Sequence, residues 1–354
     1  MTEKIIVGAG LAGLTAAINL ARNGYDVTVL EKGRRIGDLP CNPAPHGTPM
    51  DADAMAAYIG IDLKPAMVPL KQGIVSLWGK RYLVKYPPNM PTWMIERGHR
   101  RSSMDHYLYQ QALEAGVRFE FDQAILSERR LRELPPGSII ATGLHPDGFD
   151  AVGVPYRLVH GHYAKCKVPL GEPRVTVYFD DYSSDYAFTC SVNGFALALI
   201  FNRKRPVARW ELEKFAEQAV FEDGYPFKKF QPQEGGGLPV STFKNPRLFQ
   251  DHLVLAGSLA GIIDPFLCFG MHGAFVSGAI ASRAGNDPEA SWRELRRLNR
   301  NFYPLLAAKR AGLLPPQTAF MKRPIGLALR LMPLYGRFFM PLAFKTNVPG
   351  YRRI

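Results

Sequence analysis

The chain has 354 residues, 47% hydrophobic and 21% charged, enough for one large core or two joined ones and too apolar for global disorder. Cys41, Cys166, Cys190 and Cys268 are scattered, with no C-x-x-C and no zinc spacing, which argues against a disulfide framework and a cysteine metal site and for a reducing, cytoplasmic setting. The net charge of +13 gathers at one end: no acidic residue follows Glu294, whereas twelve basic residues do, from Arg296 to Arg353.

The first strand is expected at Lys4-Ile5-Ile6-Val7, so early that no signal peptide is expected. Gly8-Ala9-Gly10-Leu11-Ala12-Gly13 follows and fits G-x-G-x-x-G. In that motif Gly8 allows the tight turn, Gly10 lets a pyrophosphate approach the backbone, and Gly13 lets the helix pack on the strand. The helix carries Leu14, Ala17, Ile18 and Ala21 on its apolar face and stops at Gly24. Its free N–H groups, with those of Leu11 and Ala12 among them, face the phosphates. A second strand ends at Glu31, eighteen residues after Gly13, where a carboxylate accepts hydrogen bonds from a ribose. Lys32 opens a basic turn that either adds donors near the phosphates or is simply solvated.

Residues 38–50 read as a Pro- and Gly-rich loop, and Asp51 as the cap of a short helix through Tyr58. Short strands are expected over 74–97, and a helix from about Ser102 to Ala115. Strands follow at Val117–Phe121 and at Ser138–Ala141, the second running into Thr142-Gly143. From 151 to 243 the alternation predicts antiparallel strands, such as Val175–Phe179 and Phe195–Phe201, interrupted by one helix from Ala208 to Phe221. His160 and His162 share a strand face without further ligands, so no metal site is expected. The parallel pattern returns at Leu253–Ala256. It leads through Gly257-Ser258, Pro265 and Gly270-Met271 into a small-residue helix from Ala274 to Ala284. An NAD cofactor needs only the first glycine loop. A second loop and helix N-terminus suit the longer FAD, whose flavin end they stabilise.

With both loops in place, the sequence over residues 4–290 resembles the geranylgeranyl reductase family of FAD-dependent oxidoreductases, within the fold of p-hydroxybenzoate hydroxylase. Arg101-Ser102-Ser103-Met104-Asp105 with Leu108 is similar to the family's R-x-x-F-D-x-x-L and implies that Arg101 lies near FAD. Asp185-Tyr186-Ala187-Phe188 looks like G-Y-x-W, Gly237-Leu238-Pro239-Val240 like G-x-I-P-V, and Leu255–Gly273 like the flavin loop. Ser258 stands where the family has Asp, and Phe269-Gly270-Met271 replaces part of its triple glycine. Ala141-Thr142-Gly143 replaces the Asp-Gly pair that hydroxylase relatives use toward pyridine nucleotide.

The resemblance implies an α/β architecture. A discontinuous Rossmann-like FAD-binding domain takes residues 1–73, 97–150 and 244–295. An antiparallel-sheet substrate domain takes 74–96 and 151–243, and a basic, apolar helical segment takes 296–354. It implies flavin hydride chemistry that reduces or desaturates a carbon–carbon bond of an isoprenoid or lipid, with NAD(P)H or another donor binding transiently. Tyr163, Tyr178, Tyr186 and Phe188 are the expected substrate residues; Cys41, Cys268 and His272 are the candidate proton donors beside the flavin. The alternatives are a monooxygenase or halogenase of the same fold, the latter because Asp264–Leu267 resembles a halogenase loop, and an FAD protein without turnover. The ordered loops argue against a nucleic-acid-binding module. The apolar stretch 324–344, with Arg323, Arg330 and Arg337 seven residues apart, predicts a kinked segment lying on an anionic membrane.

Overall fold

The structure is a computed structural model that describes residues 3–38, 45–86, 91–125, 127–180, 182–183, 185–203, 205–239, 247–263, 270–300, 323–331 and 334. The chain opens with β1 (Glu3–Val7), α1 (Leu11–Arg22), β2 (Asp26–Leu30), β3 (His46–Pro49) and α2 (Ala52–Ile59). Next come β4 (Met67–Pro69), β5 (Gln72–Leu77), β6 (Lys80–Lys85), β7 (Thr92–Ile95), α3 (Met104–Glu114), β8 (Arg118–Glu120), α4 (Glu128–Arg132), β9 (Ile139–Ile140) and α5 (Pro146–Ala151). The remainder is β10 (Tyr156–Lys167), β11 (Arg174–Phe179), β12 (Tyr186–Val192), β13 (Phe195–Asn202), α6 (Arg209–Asp223), β14 (Gln231–Pro239), β15 (Phe249–Gln250), β16 (Leu253–Leu255), α7 (Met271–Arg283) and α8 (Pro288–Arg300).

Helix starts follow local chemistry. Asp51 caps α2 by accepting from the Ala54 N–H at 3.1 Å, and Ser103 caps α3 by accepting from the His106 N–H at 3.1 Å. Glu211 reaches back to the Ala208 N–H at 2.7 Å and fixes the start of α6.

Three sheets result among the described residues. The first has the order β15-β16-β9-β1-β2-β8, parallel except for β15, and its strands are buried between helices. The core cluster beneath it contains Ile6, Leu14, Ile18, Val29, Ile140 and Leu255, all fully buried or nearly so. The second has the order β14-β10-β13-β12-β11-β5-β6, antiparallel except where β11 meets β5. The third is β3-β7-β4. Strands β5 and β6 therefore join the residue 156–239 sheet, as the sequence predicts. Strand β7 does not: Thr92–Ile95 pair with His46–Pro49 and Met67–Pro69, because Pro87, Pro88 and Pro91 separate them from β6.

Alternation divides the seven-stranded sheet into two faces. Phe188 pairs with Leu199 and Val177 and faces one way; Tyr178, Ala187, Thr189 and Ile200 face the other, against α6. The first face lies toward the six-stranded sheet, and a cleft runs between the two.

Candidate cofactor and substrate cleft

The cavity within the cleft measures about 240 Å³. One end is backbone. Gly8 turns the chain out of β1 at φ +102°, and a Cβ there would sit 2.7 Å from the Ala141 carbonyl oxygen. A Cβ on Gly13 would meet the Gly8 carbonyl oxygen at 2.0 Å, so α1 sits directly against the turn. Around Gly10 the nearest atom to such a Cβ is 4.0 Å away, and that position opens into the cleft. No side chain caps α1, which leaves its first N–H groups facing the same space.

Glu31 completes this end. One carboxylate oxygen accepts from the Ala9 N–H and the other from the Gly33 N–H, both at 2.7 Å, and the side chain is only partly open to the cleft. Each oxygen keeps a lone pair for a hydroxyl. Lys32 lies beside it, its Nζ 2.8 Å from His145 Nε2 and 3.6 Å from Asp147. Burial, with the Lys32 charge adding to it, holds His145 below the ordinary histidine pKa.

The second glycine loop closes over the middle. Gly257, Ser258, Gly270 and Met271 line the cleft, and α7 starts there without a side-chain cap. The Gly257 N–H is anchored by Ser277 Oγ at 2.8 Å. Thr142 and Gly143 form the opposite rim; the Thr142 hydroxyl is buried with no protein hydrogen-bond partner.

The far end is side chain. Tyr186, Phe188, Leu199 and Phe201 present rings and branched carbons, and Val159, Leu238 and Gln233 extend the wall. Arg97 and His46 also face this end. Asp105 grips Arg97 through two 2.8 Å hydrogen bonds, to Nε and Nη2, and accepts the Gly98 N–H at 2.8 Å as well. His46 lies 6.1 Å from the Phe188 ring, and burial, reinforced by the charge of Arg97, pushes its pKa down to about 3. A neutral imidazole thus faces the apolar wall.

The expected site residues fall into four groups. Gly8, Gly10, Leu11, Ala12, Glu31, Lys32, Thr142, Gly143, Gly257, Ser258, Gly270, Met271, Tyr186 and Phe188 all line this one cleft. Gly13 stands behind it as a packing glycine. Four residues are displaced. Arg101 is exposed; Asp105 instead selects Arg97, four residues earlier, while Arg100 pairs with buried Glu96 at 3.1 Å. Tyr178 points to the back of the sheet, where its hydroxyl donates to Asp223 at 2.5 Å. Tyr163 sits near the end of β10, bonded to Gln231 at 2.9 Å and outside the cleft. His272 is 2% exposed inside α7 and does not reach the lining. Cys41, Cys268 and Pro265 lie outside the described residues. No group of three or more metal-ligating side chains occurs among the described residues.

Sequence reasoning missed His46, Arg97, Gln123 and His145, which line the cleft from loops and short strands without periodicity. For Arg97 a signal existed: the serine cap at Ser103 fixes where Asp105 points, back toward the preceding loop.

Residues 6–54 match the model of an NAD(P)-binding Rossmann-like domain. Comparison with curated protein sequences finds no match. Among solved structures, the chain superposes on a geranylgeranyl bacteriochlorophyll reductase-like protein from Thermoplasma acidophilum with a TM-score of 0.68 at 17% identity, over 93% of this chain and 92% of that one. A p-nitrophenol 4-monooxygenase from Pseudomonas putida DLL-E4 gives 0.66 at 13% identity, over 100% of both chains. A flavin-dependent brominase gives 0.65 at 14%, over 99% of this chain and 96% of that one. The chain shares their fold. The cleft of this chain is thus built on a scaffold common to a reductase-like protein, a monooxygenase and a brominase.

The residues present fit FAD. The open Gly10 cradle and uncapped α1 suit a pyrophosphate, Glu31 suits a ribose, and the second uncapped helix suits the flavin end.

Proposed function

We propose that the protein is an FAD-dependent oxidoreductase that reduces or desaturates a carbon–carbon bond of an apolar, isoprenoid or lipid substrate. One observation carries this reading: a single cleft joins a backbone-lined cradle to an aromatic and aliphatic sheet face. Bound FAD would supply hydride transfer to or from carbon. The first glycine loop, Glu31 and the start of α1 hold the cofactor's nucleotide half; Gly257, Ser258 and the start of α7 hold its other end. Ser258 offers a hydroxyl where a carboxylate would bring negative charge. Tyr186, Phe188, Leu199 and Phe201 orient an apolar chain and keep water out. His46 remains neutral at physiological pH and lines that end, while Arg97 is held in place by Asp105. Cys41 and Cys268 remain the proposed proton donors. NAD(P)H or another donor would act transiently, in a reducing, cytoplasmic setting. A second reading, oxygen insertion or halogenation, draws support from the fold shared with the monooxygenase and the brominase.

Purified protein should carry FAD or be reconstituted with it, and Gly10→Val should abolish binding because its side chain fills the cradle. A colourless preparation that no FAD restores would overturn the flavoprotein reading. Turnover of a polyisoprenoid under ¹⁸O₂ should change the product by hydrogen alone. Label in the product would replace the reductase reading with the second one.

A further inference from the structure

Residues 323–331 are helical and Leu334 is helical too. One side of this helix packs on the edge of the seven-stranded sheet: Gly326 is buried, and a Cβ there would lie 2.6 Å from the Tyr82 hydroxyl of β6. Ile325 and Leu329, on the same side, are half-buried. At 3.6 residues per turn, Leu327 and Leu331 (i, i+4) share the opposite side. They are 57% and 42% exposed, and Leu334 close behind in sequence is 72% exposed. Exposed leucines grouped this closely mark a contact surface rather than scattered apolar residues.

Charge identifies the occupant. Arg323 and Arg330 flank Leu327 at i−4 and i+3 on this face, both exposed. Lys80 of β6, also exposed, has its Nζ 6.0 Å from the Tyr82 ring centroid, next to the packed side of the helix. None of the three is ion-paired among the described residues. The segment that carries the helix has no acidic residue after Glu294. A second copy presenting the same face would bring arginine to arginine, whereas an anionic lipid surface supplies both apolar depth and negative charge. No described helix is long and apolar enough to cross a membrane.

We infer that the exposed leucines Leu327, Leu331 and Leu334, with Arg323 and Arg330 beside them, dock the protein on an anionic phospholipid bilayer. This does not depend on the substrate or the reaction. The test uses the full chain, sedimented with vesicles of phosphatidylcholine alone or with 40% phosphatidylglycerol by design, over a lipid series. The wild type should pellet with the anionic vesicles and stay largely in solution with the neutral ones. The triple variant Leu327→Glu, Leu331→Glu, Leu334→Glu should lose at least about tenfold in partitioning. Arg323→Gln with Arg330→Gln should weaken the anionic binding several-fold and leave the neutral control unchanged. Thermal unfolding checks that each variant is folded, and the arginine pair keeps the test decisive if the leucine variant is not. Equal recovery with both vesicle types would overturn the inference. So would self-association without lipid that the leucine variant abolishes.

Discussion

The two faces of the seven-stranded sheet are built from the same strands and do opposite things. The face toward the cleft is Tyr186, Phe188, Leu199 and Phe201, carbon-rich and accessible. The face toward α6 buries a carboxylate. Asp223 is 5% exposed and accepts from the hydroxyls of Thr176 at 3.0 Å, Tyr178 at 2.5 Å and Thr189, while Arg81 pairs with it at 2.7 Å. Beside it Asp180 accepts from Ser76 at 3.0 Å and from the Gly79 N–H at 2.6 Å, and burial raises its pKa. Polar groups concentrate where they hold α6 to the sheet, and the face left without them is free to meet an apolar ligand.

Breaking the back face should cost most. Asp223→Ala strands three hydroxyls and leaves the Arg81 guanidinium with Glu222 as its carboxylate partner, and we expect a stability loss of about 3–5 kcal/mol in urea unfolding. FAD affinity of the folded fraction should be unchanged; a parallel loss would mean that the faces are not independent. At the cradle, Glu31→Gln should weaken FAD binding by about 1.5–3 kcal/mol, read by fluorescence titration; its NH2 would also face a backbone N–H that the carboxylate now accepts, so the urea midpoint of the apoprotein should fall as well, by less than for Asp223→Ala. On the cleft face, Phe188→Leu should raise KM for an apolar substrate by about tenfold or less while FAD affinity holds. A separate effect is one of pH. Between about 3 and the ordinary 6.5 the folded His46 binds fewer protons than the unfolded one. Stability from this source is therefore full above 6.5 and declines as the pH falls through that window. His46→Gln should flatten the decline, measured by urea unfolding at pH 5 and 7.

Much of this was legible from residue order. The strand, glycine turn, helix, strand and Glu31 are local features, and the caps at Asp51 and Ser103 fix their own helices. Alternation predicted the strands of the second sheet but not which side would face the cofactor. Tyr178 and Phe188 look equivalent in sequence; the packing of α6, a contact across 45 residues at Tyr178–Asp223, decides between them. The arginines failed for a related reason. Arg97, Arg100 and Arg101 are near neighbours, and the three-dimensional course of one loop sends them to the cleft, to Glu96 and to solvent. His46 gave no periodic signal, since its neighbours are proline and glycine and its strand is only four residues long.

The glycine at 278 sets how closely two helices can lie. A Cβ there would lie 2.4 Å from the Ala12 carbonyl oxygen, so α1 and α7 touch backbone to backbone behind Gly10 and Gly270. Gly278→Ala would have to push the helices apart, and the cradle at their N-termini would change shape through a residue that does not itself line the cleft.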